Sequence, residues 1–328
     1  MSLSNSKAVI FSCEGCVLSD HERSFFAESK PLGFILFGRN CETPDQLRAL
    51  TNSLREAVGW DCPILIDQEG GRVQRMKPPI WHGYPSMHSF GAKAANDMEE
   101  ALADLRFTIL QLSAELQEVG INTNCAPVLD VLYEATHDAI GDRAFSDDQE
   151  IVSRLALSAC RHFLASGITP ILKHIPGQGR AESDSHKDLP RISASRAEMQ
   201  DTDFKPFKDI VTSDIGDQVW AMAAHIIYED IDPDLPSSVS PTIINEVIRG
   251  DIGFDGFLVS DDLNMDALSD LGDIAARSSA VIEAGCDASL YCWADMDVME
   301  QIAKSVPNLS SKAQKSLQNS RKPLKLSA

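Results

Sequence analysis

Eight short apolar runs, separated by longer stretches of helical periodicity, constrain this chain more than any other feature of it. The runs lie at 8–12, 33–37, 63–67, 121–125, 168–173, 219–225, 256–260 and 288–292. Within each, apolar residues occupy consecutive positions. A strand with one wet face alternates in polarity, whereas a parallel strand covered on both faces is apolar throughout. Between the runs the spacing changes to three and four. The segment 43–58 opens with Thr43, Pro44 and Asp45 as start signals and then places Leu47, Leu50, Leu54 and Val58 on one helical face. Helices are likewise expected at 97–118, 147–165, 196–211, 240–249 and 263–284. Gly59, Gly120, Gly167, Gly250 and Gly285 sit where left-handed C-caps are wanted.

Eight strand–helix units predict an α/β chain folded as a single-domain (β/α)8 TIM barrel. A doubly wound sheet wants a glycine-rich phosphate turn after its first strand, and Cys13-Glu-Gly-Cys-Val17 does not supply one. The stretch 70–97 carries Pro78, Pro79 and Pro85 and reads as an extended loop. The barrel is expected to occupy 1–306, with 307–328 a polar C-terminal tail, frayed or loosely packed.

Charge narrows the range of partners. The 29 Lys and Arg against 49 Asp and Glu leave a net of −20, which disfavours nucleic acid and anionic membrane surfaces. Residues 1–7 are polar and the apolar run 8–11 is too short for a signal-peptide core. No run approaches the ~18 apolar residues of a membrane span. Eight cysteines are few for a disulfide scaffold. Cys13-Glu-Gly-Cys16 is a lone CxxC, and a structural zinc site wants a second pair. A reduced, cytoplasmic protein with neither metal nor cofactor is expected.

Barrel chemistry sits at the C-terminal ends of strands. Those ends here carry Asn40, Asp67 to Arg75, Asp130, Lys173 with His174, His225, and Asp261 with Asp262. After the fifth strand a loop with Pro176, Gly177 and Gly179 leads to Asp184-Ser185-His186. In extended backbone Asp184 can reach one ring nitrogen of His186 and leave the other for a proton transfer; a solvated turn is the alternative. The glycines are not followed by Lys-Ser or Lys-Thr, so a phosphate loop is not indicated. An acid at the end of the seventh strand can attack an electrophilic carbon. Asp261 could equally cap a following helix, as Asp262 is expected to do near Leu263. Asp67 and Arg75 can hold sugar hydroxyls or form an internal ion-pair network, and Arg143 shares that ambiguity.

Three segments together carry a resemblance: Asp67-Gln-Glu-Gly-Gly-Arg-Val-Gln-Arg75, Lys173-His-Ile-Pro-Gly177 with Asp184-Ser-His186, and Ser260-Asp-Asp-Leu-Asn-Met265. In this order and strand context they resemble the family 3 glycoside hydrolases, within them the NagZ-type β-N-acetylglucosaminidases. The likeness runs from about residue 33 to 292, and Ile35-Leu-Phe-Gly-Arg-Asn40, Ala126-Pro-Val-Leu-Asp130 and Ala224-His225 also fit it. Gln178 departs from it, standing where the family's loop usually has His. The resemblance implies Asp261 as nucleophile, His186 as general acid/base and Asp184 as its partner. It implies Asp67, Arg75, Arg143, Lys173 and His174 as ligands of the N-acetylglucosamine unit. Related glucosidases take an acid/base Glu from a second domain, for which little chain is expected after the eighth strand.

The activity implied is retaining, exo-acting release of terminal N-acetylglucosamine from peptidoglycan fragments in cell-wall recycling. The substrates would be N-acetylglucosaminyl-1,6-anhydro-N-acetylmuramic acid and its peptides. A His acid/base brings no negative charge beside the glycosyl-enzyme. That also admits phosphate as the attacking group, so a β-N-acetylglucosaminide phosphorylase is an alternative. A catalytically silent amino-sugar-binding barrel is another, since a barrel alone does not specify activity.

Overall fold

The structure is a computed structural model that describes residues 5–184, 188–322 and 324. Its eight barrel strands are β1 (Lys7–Phe11), β2 (Pro31–Leu36), β3 (Ile64–Ile66), β4 (Thr123–Asn124), β5 (Thr169–Ile175), β6 (Trp220–Ala223), β7 (Phe257–Asp262) and β8 (Ala288–Leu290). They are parallel and close in sequence order, with β1 pairing to both β2 and β8. Every expected run therefore supplies a strand, and the reason for the unbroken apolarity is visible. Ile10, Leu65, Ile171, Phe257, Val259 and Leu290 point into the barrel, while Val9, Phe11, Ile64, Ile66 and Leu258 face the surrounding helices. Both sets are buried.

Helix α1 (Asp20–Ser29) was not among the expected elements, although Ser19 and Glu22 form a capping box at its start. Helix α2 (Pro44–Val58) begins and ends where its cap residues predict, with Gly59 left-handed. The stretch 70–97 is not one extended loop. It contains a hairpin, Gln68–Gly70 with Val73–Gln74, and then α3 (Met87–Ala94), which buries Met87, Phe90, Gly91 and Ala94 on one face. Helices α4 (Met98–Glu118) and α5 (Gln149–Ala165) follow expectation, each capped by an Asp side chain.

Two expected helices are broken. The segment 196–211 splits into α6 (Arg196–Asp201) and α7 (Lys205–Val211). Pro206 has no N–H to donate, and its ring would collide with the carbonyl of Thr202 in a continuous helix. The segment 263–284 becomes a 3₁₀ turn, Asp266–Leu271, and α8 (Ile274–Ala284), separated by Gly272 at φ +91° and capped afresh by Asp273. Residues Ile243–Asp251 form a π-helical segment that contains Gly250, and the left-handed glycine there is Gly253 instead.

Helix α9 (Met296–Ser305) follows β8, and α10 (Ser311–Ser320) corrects the expectation of a loose tail. Leu309, Ala313 and Leu317 are buried in the same cluster as the barrel interior. Trp220, its ring centroid 4.4 Å from that of Phe257, donates its indole N–H to Ser320 Oγ at 3.0 Å. Helix α10 thus closes the barrel where its strands begin, and the opposite end is left open.

Candidate active site

At that open end the inward rows of side chains change from apolar to polar. On β7, Phe257 and Val259 fill the barrel and Asp261 is the next inward position. Leu65 is followed by Asp67, Ile171 by Lys173 and Leu290 by Cys292 in the same way. A cleft of about 270 Å³ results, lined by Asp67, Arg75, Arg143, Lys173, His174, Gln178, Asp184, Asp261 and Cys292 among others. Seven of the eight residues singled out as the site therefore share one cleft. The eighth, His186, lies outside the described residues. A larger cavity, about 470 Å³, lies at the other end among Asn122, Thr169, Trp220 and Arg321, away from the strand ends where barrel chemistry is built.

The floor is an ion-pair lattice. Asp67 accepts from Lys173 Nζ at 2.9 Å and from Arg75 Nη2 at 2.9 Å. Lys173 also lies 2.6 Å from Glu69, and Arg143 grips both oxygens of Glu69 at 2.9 Å. Burial alone would raise these carboxyls. For Asp67 the charges of Lys173 and Arg75 reverse the effect and hold it well below the usual carboxylate range. Arg143 and Lys173 likewise bring Glu69 down to about 2. Burial opposes the charged form of Lys173, but its two acids override this and keep it an ammonium. Of the two readings of Asp67 and Arg75, the internal ion-pair network is formed, and both residues line the cleft. Glu69 was not singled out from the sequence. Its place between Asp67 and Arg75 is the available signal, and only the closed barrel shows it beside Lys173.

His174 occupies a bulge. Lys173 stands opposite Met222 and Ile175 opposite Ala223, so His174 is the residue left over in the β5–β6 ladder. Its Nδ1 is 2.7 Å from Asp130 Oδ2, and Asp130 Oδ1 accepts from the backbone N–H groups of His174 (3.2 Å) and Gln178 (2.7 Å). A carboxylate only accepts, so Nδ1 carries the proton in this pair and Nε2 is left to the cleft side. Asp130 therefore orients His174 from outside the cleft. Gln178, the departure in the loop, is buried in the cleft wall.

The loop after β5 is fastened on both sides. Tyr228 donates to the carbonyl of Gly177 at 2.9 Å, Thr136 Oγ1 to that of Gly179 at 2.5 Å, and the His137 N–H to that of Ala181 at 2.9 Å. Only glycine fits at 179, because a Cβ there would lie 1.7 Å from the carbonyl oxygen of Val131. Arg180 lies over the Tyr133 ring at 4.1 Å and donates to the buried Asp203 at 2.8 Å. Asp184, four residues on, lines the cleft.

At the end of β7 the capping question is resolved against a helix. No helix starts at Leu263. Asp262 accepts instead from the N–H groups of Cys292 (3.1 Å) and Asn264 (3.3 Å) and from the indole of Trp293 (3.2 Å), and burial raises its carboxyl above the ordinary value. Its own N–H donates to Asp261 Oδ1 at 2.8 Å. Beneath it, His225 touches Ser238 Oγ through Nδ1 (2.6 Å) and the Asp262 carbonyl through Nε2 (3.1 Å). Burial lowers its basicity, so His225 is a neutral brace for this strand end. The arrangement offers an acid in the cleft wall, a fixed imidazole, and fixed charges able to grip hydroxyl groups.

Residues 14–324 match the glycosyl hydrolase family 3 N-terminal domain. A beta-hexosaminidase of Alkalilimnicola ehrlichii is 38% identical over 283 residues, covering 85% of this chain and 78% of that one. One from Bordetella avium is 35% identical over 305 residues, 91% of this chain and 85% of that one. The crystal structure of NagZ from Neisseria gonorrhoeae in complex with N-trifluoroacetyl-D-glucosamine superposes with a TM-score of 0.87 at 29% identity, over 98% of this chain and 91% of that one. A family 3 β-N-acetylglucosaminidase from a Paenibacillus species superposes with a TM-score of 0.86 at 27% identity over 97% of this chain. This chain spans 61% of the length of that protein.

Proposed function

This chain belongs to glycosyl hydrolase family 3, and from that premise we propose that it is a retaining exo-β-N-acetylglucosaminidase acting on peptidoglycan fragments. The observation that carries the reading is the convergence of Asp261 with the Asp67–Lys173–Arg75 lattice in one small cleft. Its ~270 Å³ suits a single sugar unit, as exo action requires. Asp67, Arg75, Lys173, Arg143 and His174 hold that unit.

In the first step Asp261 attacks the anomeric carbon while His186, oriented by Asp184, gives a proton to the leaving oxygen. In the second the neutral His186 takes a proton from water, which cleaves the glycosyl–Asp261 ester and regenerates the acid. Retaining glycosidases ordinarily use two carboxyl groups for these tasks; here an imidazole replaces the second. The substrates are terminal N-acetylglucosaminides of 1,6-anhydro-N-acetylmuramic acid, with or without peptide. A cytoplasmic recycling role belongs to the same proposal and is supported by the eight cysteines, all of them free thiols.

The test is turnover of 4-nitrophenyl N-acetyl-β-glucosaminide with product analysis in buffers with and without phosphate. Free N-acetylglucosamine formed first as the β-anomer in both supports the reading. A sugar 1-phosphate as the main product in phosphate buffer establishes the phosphorylase instead, and no turnover of aryl or disaccharide substrates leaves the silent barrel.

A further inference from the structure

Trp293 is more than half exposed, at 55%, whereas Trp220 and Trp81 are buried at 1% and 8%. It lies three residues beyond the end of β8, and its neighbour Cys292 lines the cleft. Despite its exposure the ring is tethered. The indole N–H donates to Asp262 Oδ2 at 3.2 Å, and the backbone just before it is held from both sides. The Cys292 N–H donates to Asp262 Oδ1 at 3.1 Å, and the Cys292 carbonyl accepts from Arg39 Nη2 at 2.8 Å. Arg39 is itself fixed by donating to Ser12 Oγ at 2.6 Å and to the Cys13 carbonyl at 3.2 Å.

A rigid aromatic face left in water is an unusual use of a large apolar side chain. Exposed apolar surface gains nothing until something covers it, and ordering the ring beforehand removes most of the entropic cost of covering it. The position says what the cover must be. Asp262, which holds the indole, donates its N–H to Asp261 at 2.8 Å, so the ring stands one residue from the acid that meets the anomeric carbon. The cleft takes one sugar unit, so the group attached through the glycosidic oxygen must lie outside it, along the rim. A pyranose ring presents a face of C–H groups with its hydroxyls at the edge, which suits an indole more than half exposed to water.

We propose that Trp293 is the platform for the leaving-group sugar, a subsite that selects substrates whose aglycone is a pyranose ring. This rests on the glycosidase reading above and names the residue that recognises the departing half.

The experiment compares two substrates that differ only beyond the glycosidic bond, N-acetyl-β-glucosaminyl fluoride and N,N′-diacetylchitobiose. Fluoride is a single atom and reaches nothing outside the cleft. Trp293→Ala is expected to lower kcat/KM on the disaccharide about tenfold, the effect of uncovering one ring face, and to leave the fluoride within about twofold. Trp293→Phe keeps a ring but no N–H and is expected to recover most of the loss. An equal loss on both substrates, no loss on either, or a Phe variant as impaired as Ala overturns the proposal, the last because it assigns the effect to the Asp262 hydrogen bond. Wild-type protein that turns over neither substrate overturns the glycosidase reading itself, a result the variants do not produce.

Discussion

His174 Nδ1 lies 2.7 Å from Asp130 Oδ2, and neither residue is more than 5% exposed. One carboxylate thereby serves three donors, the imidazole and the backbone N–H groups of His174 and Gln178. It fixes the orientation of a cleft residue and the start of the loop that carries Asp184. Asp130→Asn keeps the shape but turns one acceptor into a donor that faces a donor. The expected result is a tenfold or greater rise in KM on an aryl N-acetylglucosaminide. A stability loss of about 1–3 kcal/mol in urea denaturation should accompany it, the cost of an unsatisfied buried group. Unchanged KM and midpoint would show that His174 needs no such holder.

Asp261→Ala removes the proposed nucleophile and should lower kcat on aryl substrates by about 10³-fold or more. Added azide can then enter the vacated space and attack the anomeric carbon from the face Asp261 used. The product expected by NMR is the α-glycosyl azide. Activity near that of the wild type, or a β-azide, assigns the attack to another group.

His186→Ala tests the acid role through the leaving group. A dinitrophenolate departs without a proton and a sugar alcohol does not, so the loss on disaccharides should exceed that on the dinitrophenyl substrate by about 10²-fold in the glycosylation step. Pre-steady-state release of the phenol reads that step alone. Equal losses would contradict proton donation.

Glu69 makes stability depend on pH. Its carboxyl falls from an ordinary 4.5 to about 2 in the folded protein. In the window between those values the unfolded chain binds a proton that the folded chain does not, so stability falls as pH is lowered. The contribution is fully present above about pH 5 and is lost as pH approaches 2. Glu69→Gln should therefore destabilise the protein at pH 7 by about 3 kcal/mol or more, since it leaves Lys173 and Arg143 short of a buried partner. The gap to wild type should narrow in urea titrations toward pH 3. A constant gap would mean that Glu69 acts by shape and not by charge.

Arg180→Ala cuts the link between the loop and the buried Asp203, whose other donors are Tyr133 (3.1 Å) and Thr202 (2.8 Å). The Asp67–Lys173–Arg75 lattice proposed to bind the sugar is untouched, so kcat should fall about tenfold with KM nearly constant, and Arg180→Lys should restore part of it by keeping the charge. A matching fall in affinity for N-acetylglucosamine would place the effect in binding instead.

Much of the architecture was legible because each of its causes is local. A strand buried on both faces must be apolar at every position, and a helix facing that sheet must repeat every three or four residues. The failures were local too. Pro206 and Gly272 interrupt helical patterns whose apolar spacing continues across them, and periodicity alone does not register the missing N–H or the positive φ. The tail reads as loose because Leu309, Ala313 and Leu317 are spaced by four among polar residues. That stripe is narrow, but it is the width needed to plug a barrel end.

By itself the sequence determined which residues stand at the ends of strands, and so placed Asp67, Lys173, His174 and Asp261 on one face of the molecule. It did not determine how they pair. Asp67 meets Lys173 across 106 residues, Glu69 meets Arg143 across 74, and Asp130 meets His174 across 44. Only closure of the barrel decided these partners. Whether an Asp binds a sugar hydroxyl, caps a helix or neutralises a lysine depends on what stands within about 3 Å of it, and no period along the chain encodes that distance.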